Sequence, residues 1–128
     1  MSSLLDQIGG KDAVTAAVNR FYDKIAEDEV LAPFFADTNM DHQRRRQISF
    51  LSSLMAGTAK QADLYMRSVH RPYVQKMGLN ESHFVLVAGH LDATLRELGV
   101  PGDVHDQVMA AVAGLQDAVL DKPVSEAA

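Results

Sequence analysis

The sequence predicts an all-α domain, and three observations support this fold class. Apolar residues recur at intervals of three and four along most of the chain, which is the spacing of one helix face. No stretch alternates apolar and polar residues as a half-buried strand does. Glycine, proline, asparagine and aspartate separate the periodic segments where helices are expected to begin and end.

The first two predicted helices are joined by a glycine pair. Leu4, Leu5 and Ile8 form a short apolar face, and Gly9 and Gly10 favour a tight turn after it. The second helix is expected to run for about four turns. Its apolar stripe consists of Val14, Ala17, Val18, Phe21, Tyr22 and Ile25.

A corner and a third helix follow. Pro33 interrupts the helical pattern, so residues 34–35 are expected in a short helix or corner. Residues 37–41 supply several candidates for the N-cap of the third helix. One face of that helix carries Gln43, Gln47, Phe50, Leu51 and Leu54. Residues 56–63 are weakly patterned and predict a loop.

Pro72 determines where the fourth helix is expected to begin. Proline has no N–H and disfavours a helical conformation in the preceding residue, so it is best tolerated in the first turn of a helix. We therefore predict a helix that begins only a residue or so before His70 and ends at Met77 and Gly78.

The last two predicted helices have the clearest apolar faces. Asn80 is a candidate N-cap for a helix that ends at Gly99, and Pro101 opens the final helix. The first of these faces consists of Phe84, Val87, Leu91, Leu95 and Leu98. The second consists of Val104, Val108, Ala111, Val112, Leu115 and Val119. The domain is expected to span residues 1–120, followed by a mobile tail at 121–128.

Composition excludes several classes of protein. The chain has 128 residues, which is one domain by length, and 47% apolar residues, which argues against global disorder. A net charge of −5 argues against nucleic-acid binding. The absence of cysteine excludes disulfides, thiolate zinc sites and a cysteine nucleophile. Neither a signal peptide nor a membrane span is recognisable, so we expect a cytoplasmic protein without membrane partners.

One of the five histidines differs from the rest. His70 shares a helical stripe with Met66, Tyr73, Val74 and Met77, whereas His42, His83, His90 and His105 have polar or structural explanations. A neutral imidazole on an apolar face needs a partner for its lone pair, and a metal ion is one such partner. No two histidines have the spacing of a zinc motif. His70 is therefore either a metal ligand or a core histidine satisfied by the protein.

Three further polar residues lie at apolar positions. Gln43 and Gln47 are one turn apart, and Tyr22 lies on the stripe of the second helix. Each needs hydrogen-bond partners if buried, although a position at the solvent edge explains each equally well. The arginines at 44–46 fit either a solvated face or a site for a carboxylate.

The order and spacing of several short segments give the chain a family resemblance. These are residues 4–10, 21–22, 34–40, 66–70 and 78–84. Together they resemble the group I truncated haemoglobins, nearest the cyanobacterial members, over about residues 4–120. The resemblance implies a globin-like, two-over-two helical sandwich around a non-covalent haem b. The late start of the fourth helix agrees with the short proximal helix of that family.

The resemblance also implies roles for individual residues. His70 matches the proximal ligand of the iron, Tyr22 and Gln43 match the distal tyrosine and glutamine, and Gln47 matches a second distal polar residue. Arg46 replaces a histidine that in cyanobacterial members serves as a sixth ligand, so it is expected to meet a haem propionate instead. The implied pocket walls are Phe34, Phe35, Phe50, Leu51, Leu54, Met66, Val69, Tyr73, Leu79, Phe84, Val87, Val119 and Leu120.

Two departures from the family pattern refine these expectations. Residues 113–119 lack the histidine that can bond to a haem vinyl group, so haem attachment is expected to be non-covalent. The second Gly-Gly pair of the family is reduced to Ala56 and Gly57, at the hinge after the distal helix.

The function implied is reversible binding of oxygen, nitric oxide or carbon monoxide at a five-coordinate iron. A Tyr/Gln network is expected to slow oxygen release, which favours storage, sensing or nitric oxide detoxification over oxygen transport. A monomer with a separate, unidentified reductase is expected. Two alternatives remain: a haem-free helical interaction domain, and peroxidase-like turnover, for which an acid–base histidine is not evident on the distal side.

Overall fold

The computed structural model describes residues 3–122, and every regular element within that range is a helix, as the predicted all-α class requires. Seven α-helices and one short 3₁₀ helix at Ala32–Phe35 make up the described part of the chain. In chain order the α-helices are α1 Leu4–Ile8, α2 Gly10–Glu27, α3 Met40–Ala56, α4 Ala62–Met77, α5 Glu81–Glu97, α6 Gly102–Ala113 and α7 Gln116–Val119. None of these helices is both long and apolar enough to cross a membrane.

Side-chain caps fix the starts of three helices. Ser3 accepts a hydrogen bond from the Asp6 amide and forms a capping box at α1. Asn39, one of the predicted N-cap candidates, accepts from the amide of His42 at 3.2 Å. Asn80 caps α5 as predicted, accepting from the Ser82 amide at 2.9 Å. Each cap satisfies an amide that has no partner within its own helix.

The predicted glycine turn between α1 and α2 is confirmed. Gly9 adopts a left-handed conformation with φ of 117°, and a Cβ atom there would approach the Cβ of Ala13 to 3.1 Å. Both the positive φ and the close approach favour glycine. This turn lets α2 begin at Gly10, immediately after α1 ends.

The predicted late start of the fourth helix is wrong. Helix α4 begins at Ala62, so Pro72 lies well inside it. Proline in a helix interior costs about 3 kcal/mol, because a backbone donor is lost and the ring crowds the preceding turn. Packing of the whole helix overrides this local preference. The predicted loop is correspondingly shorter, covering residues 57–61 between α3 and α4.

The final helix is also interrupted, where the sequence predicts one continuous helix. It breaks after Ala113, and α7 begins at Gln116. Val104 and Val108 of α6 belong to the main core, whereas Leu115 and Ala118 pack with Met66 of α4 in a second cluster. The break redirects the chain so that its two halves bury different apolar faces.

The main core forms around α2, which packs against α1, α3 and α5. Helix α6 closes this group by packing on α1 and α5. The fully buried side chains at its centre are Val14, Val18, Ile25, Leu31, Thr94, Leu95 and Val108. Helix α4 stands apart, because it packs chiefly against α7, which also touches α5.

The chain remains attached to α4 beyond the predicted end of the domain. Arg67 and Arg71 each form an ion pair with Asp121, at 3.1 and 3.0 Å. Arg67 also donates to the carbonyl oxygen of Lys122 at 2.6 Å. These first two residues of the expected tail are therefore held in place, and the rest of that tail, residues 123–128, lies outside the described residues.

Candidate functional site

A cavity of about 210 Å³ separates α4 from α2, α3 and α5. One water molecule needs roughly 10–15 Å³ of such space, so this cavity has room for a group of many atoms. Most of the predicted pocket residues line this cavity. They are Tyr22, Phe34, Phe35, Gln43, Arg46, Gln47, Phe50, Leu51, Met66, Val69, His70, Tyr73, Leu79, Phe84, Val87 and Val119.

Two predicted pocket walls lie elsewhere. Leu54 is partly buried and packs against both apolar clusters, and Leu120 is 5% exposed. Neither residue lines the cavity. Both are apolar, as a pocket wall would be, but Leu54 packs between helices and Leu120 is buried at the end of α7.

Tyr65 is a pocket residue that the sequence does not predict. Tyr65 lines the cavity, and its ring stacks on Phe50 with centroids 5.5 Å apart and planes 25° apart. Its signal in the sequence is the four-residue spacing to Val69, which lines the same cavity from the same helix. Nine further lining residues belong to the predicted apolar helix faces: Val14, Ala17, Val18, Phe21, Ile25, Leu91, Leu95, Val112 and Leu115. Leu31 and Met55 also line the cavity and have no place on a predicted face.

His70 presents a single available nitrogen. Its Nδ1 lies 2.8 Å from the carbonyl oxygen of Met66, one turn earlier in α4. Because a carbonyl oxygen can only accept, Nδ1 carries the proton, and Nε2 retains its lone pair. Burial lowers the pKa of His70 against the opposing effect of that hydrogen bond, so the neutral ring is favoured. The result is an oriented neutral imidazole on an apolar wall.

Tyr22 and Gln43 form a second polar group, contributed by α2 and α3. Gln43 donates from Nε2 to the Tyr22 hydroxyl oxygen at 3.1 Å. The hydroxyl proton of Tyr22 is then left for another acceptor. Burial raises the pKa of Tyr22, against smaller lowering effects from Gln43 and Arg44, so the phenol keeps its proton. The Tyr22 ring also packs edge-on against Phe35, with centroids 5.9 Å apart.

Gln47 and Arg46 line the same cavity with free polar ends. Among the described residues, neither side chain forms a hydrogen bond or an ion pair. Arg46 also borders a neighbouring groove that contains Lys60, Ser49 and Thr58. Arg44, in contrast, binds Asn19 and Asp23 on α2. Of the three consecutive arginines, Arg46 is therefore the one at the mouth of the cavity.

The other four histidines lie outside the cavity. His42 is exposed, and His83 accepts from the Asn80 amide at 3.0 Å. His90 pairs with Asp28 at 2.7 Å, and the mostly buried His105 pairs with Asp92 and Asp106. Within residues 3–122, no cluster of three or more His, Asp and Glu side chains could hold a metal ion. A metal at this site would therefore need a carrier that supplies its other ligands.

Comparison with known proteins identifies the family. The model of the bacterial-like globin family matches residues 3–121. The chain is 46% identical over 114 residues to the group 1 truncated hemoglobin of a Synechocystis species, covering 89% of this chain and 91% of that protein. It is 41% identical over 127 residues to a group 1 truncated hemoglobin of Chlamydomonas moewusii, covering 98% of this chain and 72% of that protein.

Solved structures agree with this match. A 2/2 hemoglobin from a Synechococcus species, in the cyanomet state and with covalently attached heme, superposes with a TM-score of 0.89 at 35% identity. The alignment covers 94% of this chain and 100% of that one. The Fe(III) form of the truncated hemoglobin from Tetrahymena pyriformis gives a TM-score of 0.79 at 32% identity, covering 93% and 98%. The chain belongs to the bacterial-like globin family, among the group 1 truncated haemoglobins.

Proposed function

We propose that this protein binds haem b non-covalently, with His70 as the protein ligand of the iron, and uses it to bind oxygen and other diatomic molecules reversibly. One observation carries the proposal. The imidazole of His70 lines an apolar cavity and commits Nδ1 to Met66, so Nε2 remains as a metal-binding nitrogen. A hydrogen bond of this kind to the second ring nitrogen is the usual way in which proteins orient a ligating histidine.

The residues present fit a haem group. The walls of the cavity are mainly apolar and aromatic, which suits a porphyrin ring, and α4 is held apart from α2, α3 and α5. Arg46, at the cavity mouth and close to the groove containing Lys60, suits the anionic propionates. The same arrangement disfavours the haem-free interaction domain, because a cavity of this size inside the fold is costly unless something fills it.

Haem, held by His70 Nε2, would supply the iron centre at which a diatomic ligand binds. The chain contributes the hydrogen bonds that hold such a ligand. Tyr22 keeps its proton, and its hydroxyl oxygen accepts a hydrogen bond from Gln43. The O–H group of Tyr22 is therefore available to donate to a ligand in the cavity. Gln47 adds a free amide. Each neutral hydrogen bond contributes about 0.5–1.5 kcal/mol, so two or three slow ligand release by roughly one to three decades.

Two features of the chain favour a five-coordinate, non-covalent haem. Arg46 lines the cavity at the position that matches the sixth-ligand histidine of cyanobacterial members, and a permanently charged guanidinium does not ligate iron. Residues 113–119 contain no histidine to bond a haem vinyl group, although the Synechococcus structure has covalently attached heme. His70 is also the sole histidine among the cavity-lining residues described, which leaves peroxidase-like turnover without a distal acid–base histidine.

Slow release favours storage, sensing or chemistry on oxygen over delivery. Conversion of nitric oxide and oxygen to nitrate consumes one electron, which ferrous iron would supply. Nitric oxide detoxification would therefore require a separate reductase to return the iron to the ferrous state. We expect a cytoplasmic monomer that works with such a reductase. Light scattering tests the oligomeric state, cell fractionation tests the location, and nitrate formed per nitric oxide added tests the activity.

The His70→Ala variant tests the central assignment. We expect purified His70→Ala protein to lose most of its haem and to show an altered Soret band, because no other protein nitrogen at the cavity can replace Nε2. The His42→Ala variant is the matched control, since His42 is exposed in the first turn of α3. A colourless wild-type protein that rejects added haemin contradicts haem binding itself. Unchanged haem content and spectrum in His70→Ala contradict the ligand assignment.

A further inference from the structure

Arg44 connects α3 to α2 at the position of Tyr22. Its Nη1 donates to the Asn19 carbonyl oxygen at 2.9 Å and to Asn19 Oδ1 at 3.2 Å, and its Nη2 pairs with Asp23 at 2.9 Å. Asn19 and Asp23 are one turn apart on α2, and Tyr22 lies between them in sequence. The guanidinium carbon lies 5.8 Å from the centre of the Tyr22 ring, over its face.

Two consecutive residues of α3 therefore hold Tyr22 at two places. Gln43 binds the hydroxyl oxygen at one end of the side chain. Arg44 covers the ring face and is itself fixed by three hydrogen bonds to α2. A cation over an aromatic face is attracted by the ring quadrupole, so the guanidinium stabilises this one orientation of the ring.

A simple surface ion pair does not explain this arrangement. The Asp23 side chain is 71% exposed, whereas the Arg44 side chain is 23% exposed. An ion pair with so exposed a carboxylate contributes little. Arg44 is covered because it lies against Tyr22 and the backbone of α2. The neighbouring Arg45 is exposed and forms no ion pair or hydrogen bond in the described part of the chain.

We propose that Arg44 is a positioning residue for the distal hydrogen bond: by fixing the Tyr22 ring between α2 and α3, it aims the Tyr22 hydroxyl into the cavity. This inference rests on the proposed haem function. The positive charge also favours proton donation by the phenol, because it partly opposes the effect of burial on the pKa of Tyr22. Arg44 itself does not line the cavity, so it acts on a bound ligand through Tyr22.

The test is a double-mutant comparison on the haem-loaded protein. Arg44→Met and the control Arg45→Met are each made in the wild-type and Tyr22→Phe backgrounds. Two quantities are measured: the oxygen dissociation rate of the ferrous protein, and the infrared stretching frequency of bound CO, which reports hydrogen-bond donation near the ligand. Arg44→Met is expected to accelerate oxygen dissociation about two- to fivefold, the range of a cation–π contact, and to shift the CO band towards that of Tyr22→Phe.

The Tyr22→Phe background distinguishes positioning of the Tyr22 hydroxyl by Arg44 from a general structural role of Arg44. In Tyr22→Phe, Arg44→Met is expected to change neither quantity further, whereas a structural effect would persist there. Arg45→Met is expected to match its parent in both backgrounds. If Arg44→Met does not fold, Arg44→Lys replaces it, since an ammonium cannot hold both Asn19 and Asp23 from over the ring. An unshifted CO band in the folded Arg44 variant overturns the proposal, and absence of haem uptake by wild-type protein overturns the proposed function instead.

Discussion

At Tyr22, the direction of one hydrogen bond determines what the hydroxyl group can do. The Gln43 amide nitrogen lies 3.1 Å from the phenol oxygen and can only donate to it. The phenol oxygen therefore accepts from α3, and its proton is available for the ligand that the proposed function places in the cavity. A glutamine that accepted from the phenol would leave no proton for a ligand. The pairing of Tyr22 with Gln43 is consequently the basis of the expected slow ligand release.

Replacing Tyr22 by Phe removes this donor with little change in shape. We expect the oxygen dissociation rate of the ferrous, haem-loaded protein to rise by about tenfold or more, because a buried hydrogen bond to a polarised ligand is lost. Stopped-flow displacement of oxygen by carbon monoxide measures the rate. Tyr73→Phe is the control, because Tyr73 also lines the cavity and its hydroxyl has no hydrogen-bond partner in the described residues. Equal rates in the wild-type and Tyr22→Phe proteins would show that Tyr22 is not the donor.

The sequence could predict individual cavity-lining residues where a polar side chain lies on an apolar helix face. His70, Gln43 and Gln47 are polar or titratable side chains on apolar stripes, and all three line the cavity. Apolar residues carry no such signal. Leu54 packs between elements and Leu51 lines the cavity, yet both are leucines on the same predicted face. Only the three-dimensional arrangement separates a pocket wall from core packing.

Among the elements, α4 depends on contacts that its own sequence does not reveal. Pro72 lies in the interior of α4. The residue before the helix, Gln61, has a left-handed conformation with φ of 56°, and its side chain does not cap the helix. Both features weaken the helix locally. Packing on α7 and the attachment of Arg67 and Arg71 to Asp121 act in the opposite direction. Because these partners lie some fifty residues further along the chain, a local reading of Pro72 placed the helix start too late.

Asp121→Asn tests whether this attachment supports α4. We expect the midpoint of thermal unfolding to fall by roughly two to five degrees, as for the loss of partly exposed ion pairs. Asp117→Asn is the control, because Asp117 is exposed and its side chain forms no ion pair in the described chain. Differential scanning calorimetry provides the measurement.

The effect of Asp121→Asn should also depend on pH. Arg71, and then Arg67, hold the pKa of Asp121 below its usual value near 3.8. A group whose pKa is lowered by folding stabilises the protein above its unfolded pKa and loses that contribution as the pH falls through the folded pKa. The difference between the wild-type and Asp121→Asn proteins is therefore expected in full above about pH 5 and to vanish at strongly acidic pH. A difference that is independent of pH would contradict a role for the charged carboxylate.

The whole molecule consists of a well-packed group of helices and one helix held at a distance. Helices α1, α2, α3, α5 and α6 share the main core, whereas α4 reaches it chiefly through α7. Helical periodicity was enough to predict the all-α class, because each helix has a clear apolar face. It could not predict the cavity, since residues such as Val18 and Leu95 line it while also belonging to the core. Periodicity shows that a face is buried without showing whether protein or a ligand covers it.

This uneven packing predicts how haem removal should affect the molecule. Tyr65 and Val69 of α4 line the cavity and are 42% and 39% exposed, so a bound haem would cover apolar surface on a helix that packs chiefly against α7. Binding to the folded state raises stability in proportion to the logarithm of ligand concentration over Kd. We expect haem extraction to lower the midpoint of thermal unfolding. Without haem, α4 should open locally more readily than α2, because α4 packs chiefly against α7 whereas α2 packs against α1, α3 and α5.

Hydrogen exchange followed by mass spectrometry makes the prediction specific to one element. On haem removal, amides of residues 62–77 should lose protection first and by the largest factor, and those of residues 10–27 should stay protected. Adding back haemin should restore the protection of α4, whereas His70→Ala protein given haemin should recover much less of it. Uniform loss across both helices would mean that haem stabilises the fold globally, and unchanged exchange in α4 would contradict the placement of haem against it.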